Sequence, residues 1–82
     1  GPALLASATG TREMLDCLLQ AMARLPNRDW RVVLILEHFA GLDDAEIARV
    51  LGTTSGNVQV MRHRALKRLR ADPQLGDCLQ GG

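Results

Sequence analysis

The stretch AEIARVLGTTSGNVQVMRHRALKRLR, from Ala45 to Arg70, decides the fold of this 82-residue chain. Its first part has the apolar spacing of a two-turn helix, Gly52 permits a left-handed turn, and a longer helix follows Thr54. A helix-turn-helix unit needs a small residue where its helices cross, a glycine in the turn and apolar residues between the helices. The matching residues are Ala48, Gly52, Ile47, Leu51, Val58 and Met61. An ordinary αα-hairpin would bury the same residues as core, but it rarely needs all of them at these spacings.

The second helix of this unit has one apolar side. With the helical period of about 3.6 residues, that side contains Val58, Met61, Ala65, Leu66 and Leu69. The opposite side is polar and basic, and Val58 to Arg70 holds five of the chain's ten Lys and Arg residues and no acid. A solvated helix face usually mixes Glu with Lys, so the absence of acids favours contact with a nucleic acid.

The exposed side of this helix carries residue types that read base edges. The candidate base readers are Gln59, Val60, His63 and Arg64. Gln can pair with adenine through two hydrogen bonds, Arg can pair with guanine, and Val can contact the methyl group of thymine. His63 has no second ligand nearby, so a DNA contact or plain surface is favoured over a metal site.

A second set of residues is suited to the phosphates of double-stranded DNA. Basic side chains and the free N–H groups at the start of a helix both attract phosphate. The candidate phosphate contacts are Arg49, Thr54, Ser55, Gly56, Lys67, Arg68 and Arg70.

Arg62 does not fit this division, because it projects into the apolar side where Leu would be expected. Two explanations remain open. Its aliphatic stem lies along the edge of the core while its guanidinium reaches an acid or a phosphate, or the helix is rotated slightly from this register.

Length and composition exclude several classes of protein. A chain of 82 residues forms one small domain with a modest core, and its aliphatic, Ala-rich composition favours an all-α fold. The longest uncharged apolar run, Val32 to Leu36, is too short to span a membrane. No catalytic set, metal-ligand pattern or cofactor motif is visible, so we expect neither an enzyme nor a small-molecule substrate. Cys17 and Cys78 are expected to be free thiols in a reducing cytoplasm.

The rest of the chain predicts a small four-helix domain with the helix-turn-helix at its C-terminal end. The first predicted helix runs from about Thr11 to Arg24 and the second from Arg28 to Ala40, before Gly41. Asp43 and Glu46 have the spacing of a capping box that opens the third, Asp44 to Leu51. The fourth ends near Ala71. The apolar stripe of the first helix is Met14, Leu15, Leu18, Leu19 and Met22. Residues 1–10 are interpreted as a tag remnant and linker, 11–71 as the domain, and 72–82 as a flexible tail.

The stretch from Leu25 to Arg70 resembles region 4 of bacterial sigma factors of the sigma-70 family, in particular the extracytoplasmic-function group. The resemblance depends on Leu25-Pro26, Gly41-Leu42, Glu46-Ile47-Ala48, Leu51-Gly52, Gly56 with Val58, His63-Arg64-Ala65 and Arg68-Leu69-Arg70. It covers roughly residues 12–71. The HRALKRLR segment separates the chain from response-regulator output domains, which share mainly the EIA and LG portions. The implied architecture is winged-helix-like without a wing.

This resemblance implies that the domain reads the −35 element of promoters in the major groove while bound to the β flap of RNA polymerase. It also implies regulation by an anti-sigma factor and a cytoplasmic location. Three positions depart from the family pattern, because basic residues are common at Gln59 and Met61 and an aliphatic one at Arg62. The promoter sequence therefore cannot be copied from a relative. The alternative is a protein-interaction module that mainly binds a regulator. The exposed Val60 and the apolar pair Leu4-Leu5 favour this alternative.

Overall fold

The computed structural model describes the backbone of residues 2–80 and the side chains of residues 10–80. In this range the chain is helical with short connections, which confirms the all-α class. The described residues form five helices rather than the four predicted: α1 (Pro2–Ala23), α2 (Arg28–His38), α3 (Asp44–Leu51), α4 (Ser55–Arg70) and α5 (Pro73–Leu79). Gly1 and the side chains of Leu4 and Leu5 lie outside the described residues. None of the described helices is both long and apolar enough to cross a membrane.

Local capping interactions set the bounds of α3 and α4. The Asp43 carboxylate accepts a hydrogen bond from the Glu46 backbone N–H at 2.9 Å, and the Glu46 side chain accepts one from the Asp43 N–H at 3.1 Å. Gly52 ends α3 with φ of 68°, where a side chain would be strained. The Thr54 hydroxyl accepts from the Asn57 N–H at 3.1 Å and begins α4. The predicted bounds of both helices are therefore confirmed.

The start of α2 is confirmed, but its end lies two residues before the predicted one. The Asn27 side chain accepts a hydrogen bond from the Asp29 N–H at 2.8 Å and caps the start. The helix ends at His38, and Phe39 is its C-cap. Gly41 has φ of 67°, and the Leu42 N–H then donates to the Leu36 carbonyl at 3.0 Å. These two residues turn the chain sharply into α3.

The core of the helix-turn-helix lies where α2, α3 and α4 meet. Val33, Ile47 and Val58 are completely buried there, and Ala48 and Met61 are nearly so. Complete burial of one Val or Ile side chain stabilises a fold by about 1.5 to 3 kcal/mol. The predicted apolar side of α4 is confirmed by the burial of Val58, Met61, Ala65 and Leu69, with Leu66 partly buried.

The predicted apolar stripe of α1 is wrong for four of its five residues. Met22 is buried, whereas Met14, Leu15, Leu18 and Leu19 are exposed in this structure. The residues that α1 buries are instead Cys17 and Ala21, which join a second core cluster with Leu34, Ala65, Leu69 and Leu75. The helix also begins at Pro2 rather than near Thr11. The sequence pattern identified an apolar face, but α1 packs through its neighbouring, smaller residues.

The prediction of a flexible tail is wrong for residues 73–79, which form α5. The Asp72 carboxylate accepts hydrogen bonds from the N–H groups of Gln74 and Leu75 at 2.9 and 3.3 Å, and Pro73 occupies the first turn. Partial burial raises the pKa of Asp72, but hydrogen bonds from Arg24 and the two N–H groups outweigh it and lower this pKa. Asp72 also forms an ion pair with Arg24 at 2.8 Å. Leu75 is buried against the body of the protein.

The prediction of two free thiols is also wrong, because Cys17 and Cys78 form a disulfide. The helix α5 brings Cys78 next to α1, with the two Cα atoms 5.8 Å apart. The expectation of free thiols was based on the spacing of the two cysteines and on a reducing cytoplasm, and the sequence pattern did not reveal that α5 packs against α1. The bond closes a loop with a sequence separation of 61 residues.

Removal of this disulfide should destabilise the protein. For a loop of this length, the chain-entropy model gives a loss of about 4 kcal/mol on reduction, because the unfolded chain gains freedom. Cys78→Ser is the suitable variant, since Cys78 is exposed whereas a serine at the buried position 17 would add an unsatisfied hydroxyl. Urea unfolding followed by circular dichroism measures the effect. Wild type in reductant should match Cys78→Ser, and an unfolding midpoint unaffected by reductant would contradict the expectation.

Candidate nucleic-acid interface

The structure brings the four predicted base readers to one exposed face of α4. Gln59, Val60, His63 and Arg64 are all exposed, and Val60 shows 42% of its surface to solvent although it is apolar. The buried side of the same helix faces α2 and α3. The face is therefore free of core packing, and the major groove of DNA is wide enough to accept one α-helix. Its role in reading bases remains a prediction.

Cations follow the predicted base readers along α4. Lys67, Arg68 and Arg70 lie in its last turn and are exposed, and Arg49 is exposed in the last turn of α3. In the described part of the chain, no ion pair engages any of these four or Arg64. Their charges are therefore available to phosphate oxygens.

The start of α4 offers N–H groups to an anion. Ser55 and Gly56 are exposed in its first turn, which contains no acid to offset the positive end of the helix dipole. Thr54 is exposed as well, and its hydroxyl oxygen is used in capping, which leaves the hydroxyl proton able to donate. Asn57 donates from its side chain to the Thr53 hydroxyl at 2.9 Å, which connects the first turn of α4 to the turn before it.

Arg62 takes the first of its two predicted placements, with its guanidinium reaching acids. Its Nε donates to Glu37 Oε2 at 2.7 Å, and its other end forms an ion pair with Asp44 Oδ1. The side chain is 21% exposed, and α4 is not rotated, because Val58 and Met61 are buried as predicted. Arg62 thus belongs to the body of the protein and ties α4 to α2 and α3.

The hydrogen bond between Arg62 and Asp44 changes the pKa values of both side chains. The hydrogen bond from Arg62 holds the pKa of Asp44 below its ordinary value of 3.8, against a smaller opposing effect of burial. The same hydrogen bond raises the pKa of Arg62. Asp44 is therefore ionised at neutral pH. Its second oxygen, Oδ2, accepts a hydrogen bond from Gln59 Nε2 at 3.3 Å.

Sequence reasoning missed two features of this interface. One is the bond between Asp44 and Gln59, because the residues are fifteen positions apart on different helices. The other is Trp30, which lines a depression of about 310 Å³ together with Arg64, Lys67 and Arg68. The only available signal was that Trp30 is the single Trp of the chain. The depression places an aromatic ring among the cations that are expected to face DNA.

Comparison with known families gives one match. The family model described as Sigma-70, region 4 matches residues 15–69, which is more than half of the chain. The matched segment spans the helix-turn-helix, Arg62 and all the candidate DNA contacts except Arg70. No curated protein and no solved structure matches the chain significantly.

Replacement of Arg62 by Met, a side chain of similar length without charge, should lower stability at neutral pH. Glu37 and Asp44 would then lie close together without their shared cation. A lowered pKa in the folded state means that protonation favours unfolding, so this stabilisation is present above pH 3.8 and is lost as the pH falls further. The difference between wild type and Arg62→Met should therefore shrink between pH 7 and pH 3.

Urea unfolding at the two pH values measures this effect, and Lys67→Met is the matched control. Lys67 is exposed on the same helix and has no acidic partner among the described residues, so its replacement should change stability little at either pH. A penalty for Arg62→Met that is equal at pH 7 and pH 3 would show that the ion pairs contribute nothing.

Proposed function

The chain belongs to the sigma-70 region 4 family, and from this premise we propose that it recognises the −35 element of promoters for an extracytoplasmic-function sigma factor. The family is a DNA-binding part of sigma factors, the subunits that direct RNA polymerase to promoters. It binds promoter DNA and the polymerase core, and it is not an enzyme family. The finer assignment to the extracytoplasmic-function group is supported by the His63-Arg64-Ala65 and Arg68-Leu69-Arg70 segments.

One observation supports DNA reading by this chain above all others. The exposed face of α4 combines groups that pair with base edges and cations that have no acidic partner in the described structure. We assign base contacts to Gln59, Val60, His63 and Arg64. Phosphate contacts are assigned to Arg49, Thr54, Ser55, Gly56, Lys67, Arg68 and Arg70. The body of the domain keeps these two groups in a fixed relation, because both are on α4 or on the α3 corner that packs against it.

A protein-binding role is the second candidate, and the exposed apolar surface of α1 favours it. Met14, Leu15, Leu18 and Leu19 are exposed there, and Ile35 of α2 is exposed as well. Leu19 and Ile35 share a depression of about 410 Å³. Contiguous exposed apolar residues of this kind commonly mark a protein interface. The β flap of RNA polymerase and an anti-sigma factor are the partners that the family suggests, and we expect the domain to bind DNA and protein through different faces.

Arg64→Ala and Lys67→Ala should weaken DNA binding in different ways. Loss of Arg64 should cost about 1 to 3 kcal/mol on the cognate −35 sequence and much less on scrambled DNA, because a base contact is removed. Loss of Lys67 should weaken binding to all sequences alike, because a phosphate contact is removed. The slope of the logarithm of affinity against the logarithm of salt concentration should fall in magnitude by about one.

Binding of both variants to cognate and scrambled duplexes over a range of salt concentrations measures this difference. The cognate duplex is first selected from a random pool by the parent sigma factor with RNA polymerase. Equal losses on the two duplexes for Arg64→Ala would remove Arg64 from the base readers.

Leu18→Arg should separate the two candidate functions. Leu18 is exposed on α1 and takes no part in the helix-turn-helix core, so the fold and DNA affinity should remain. Binding to core RNA polymerase should fall about tenfold or more if this apolar face is used, because a buried unpaired charge is costly. Gln20→Arg, a change at another exposed α1 position, controls for the added charge. Unchanged polymerase binding by Leu18→Arg would place the polymerase contact elsewhere.

A further inference from the structure

Gln59 differs from the other predicted base readers in the way its side chain is held. Of the four, it is the one with a protein hydrogen-bond partner in the described structure, through Nε2 to Asp44 Oδ2 at 3.3 Å. A Gln on an exposed helix face is ordinarily free to rotate, and its amide can present either end to a ligand. In this protein, the neighbouring helix restricts that choice.

The anchor of this bond is itself fixed. Asp44 is the first residue of α3 and directly follows Asp43, whose capping box with Glu46 holds the backbone. The other carboxylate oxygen of Asp44 is held by Arg62, which Glu37 holds in turn. The carboxylate therefore has a defined position, and Gln59 adjusts to it rather than the reverse.

The chemistry of the bond determines which group Gln59 offers to DNA. An ionised carboxylate only accepts hydrogen bonds, so the NH₂ group of Gln59 must face Asp44. One N–H is then used, and the Oε1 acceptor and the second N–H remain for a ligand. An adenine edge in the major groove presents a donor, N6–H, beside an acceptor, N7, and complements this pair. A guanine edge presents only acceptors, N7 and O6, and would leave Oε1 facing another acceptor.

We propose that Asp44 is a positioning residue that orients the Gln59 amide so that it selects adenine over guanine in the recognised sequence. This inference rests on the proposed function, since it assumes that Gln59 meets a base. According to this inference, the sequence preference depends on Asp44 of α3 as well as on the exposed residues of α4. The inference also names adenine as the base that Gln59 selects. Arg62 takes part indirectly, because it holds the carboxylate in place.

The first step of the test identifies the base pair that Gln59 contacts. Duplexes are selected from a random pool by wild-type chain and by Gln59→Ala, and the position whose preference disappears in the variant is assigned to Gln59. Binding of wild type to four duplexes that differ only at that position then gives its base preference. We expect adenine to be preferred over guanine by about tenfold, the discrimination typical of a paired amide.

The second step compares Asp44→Ala with Glu37→Ala. Both variants remove one acid from Arg62, but only Asp44→Ala frees the Gln59 amide. We expect Asp44→Ala to reduce the adenine preference at this position to about threefold or less, with preferences elsewhere unchanged. Glu37→Ala should keep the wild-type preference. Circular dichroism confirms that each variant is folded before its binding is measured.

A measurement on the free protein keeps the test independent of DNA and of variant stability. The side-chain amide resonances of Gln59 in wild type should shift as Asp44 is protonated below pH 3.8. Those of Asn57, whose side-chain amide donates to the Thr53 hydroxyl rather than to an acid, should not follow the same titration. Absence of this shift would overturn the inference, since the amide would then not be held by Asp44.

The remaining outcomes separate this inference from the function on which it rests. If Gln59→Ala removes a preference that Asp44→Ala leaves intact, the positioning role of Asp44 is wrong and base reading by Gln59 stands. If wild type shows no base preference at any position, the promoter-reading function fails and the inference falls with it. A guanine preference at the Gln59 position would also overturn it.

Discussion

The burial of Val33, Ile47 and Val58 at the junction of α2, α3 and α4 is the contact on which the rest of the structure depends. These three β-branched side chains have few rotamers, so they fix the rotation of α4 about its own axis as well as its position. Once Val58 points inward, the helical period directs Gln59, Val60, His63 and Arg64 outward. The core of the domain thus determines the composition of the face that is expected to meet DNA.

Arg62 restricts the relative orientation of the three helices that this apolar contact joins. An apolar seam tolerates small slides and rotations, whereas a guanidinium between Glu37 and Asp44 requires one arrangement of three helices. Compared with apolar side chains in its place, a partly buried ion pair contributes little net stability, because desolvation offsets much of the attraction, although removal of one partner alone is costly. Its value here is geometric, since it holds Asp44 beside Gln59 and so connects the packing of the core with the interface.

The sequence predicted best what depends on neighbouring residues. Capping by Asp43 and Thr54, the turn at Gly52 and the apolar side of α4 are local properties, and all of them appear as expected. Features that depend on distant packing were not predictable in the same way. An apolar stripe shows that α1 is amphipathic, but it does not show which residues of α1 pack against the rest of the protein. Asp72-Pro73 was interpreted only as the end of α4, whereas these two residues also begin α5. The four candidate base readers are exposed on α4 as expected, but no pattern in the sequence revealed the bond between Asp44 and Gln59.

The structure also explains how a chain with a net charge of only +1 can present, in the last turn of α4, a group of cations that form no ion pair in the described part of the chain. Much of its acidic charge is engaged in helix caps and ion pairs away from the last turn of α4. Asp43 and Glu46 cap α3, Glu37 and Asp44 both pair with Arg62, and Asp72 caps α5 while pairing with Arg24. The cations of the last turn of α4 have no such partners among the described residues, so their field extends into solvent. The distribution of charge, rather than its sum, is what suits this surface to a polyanion.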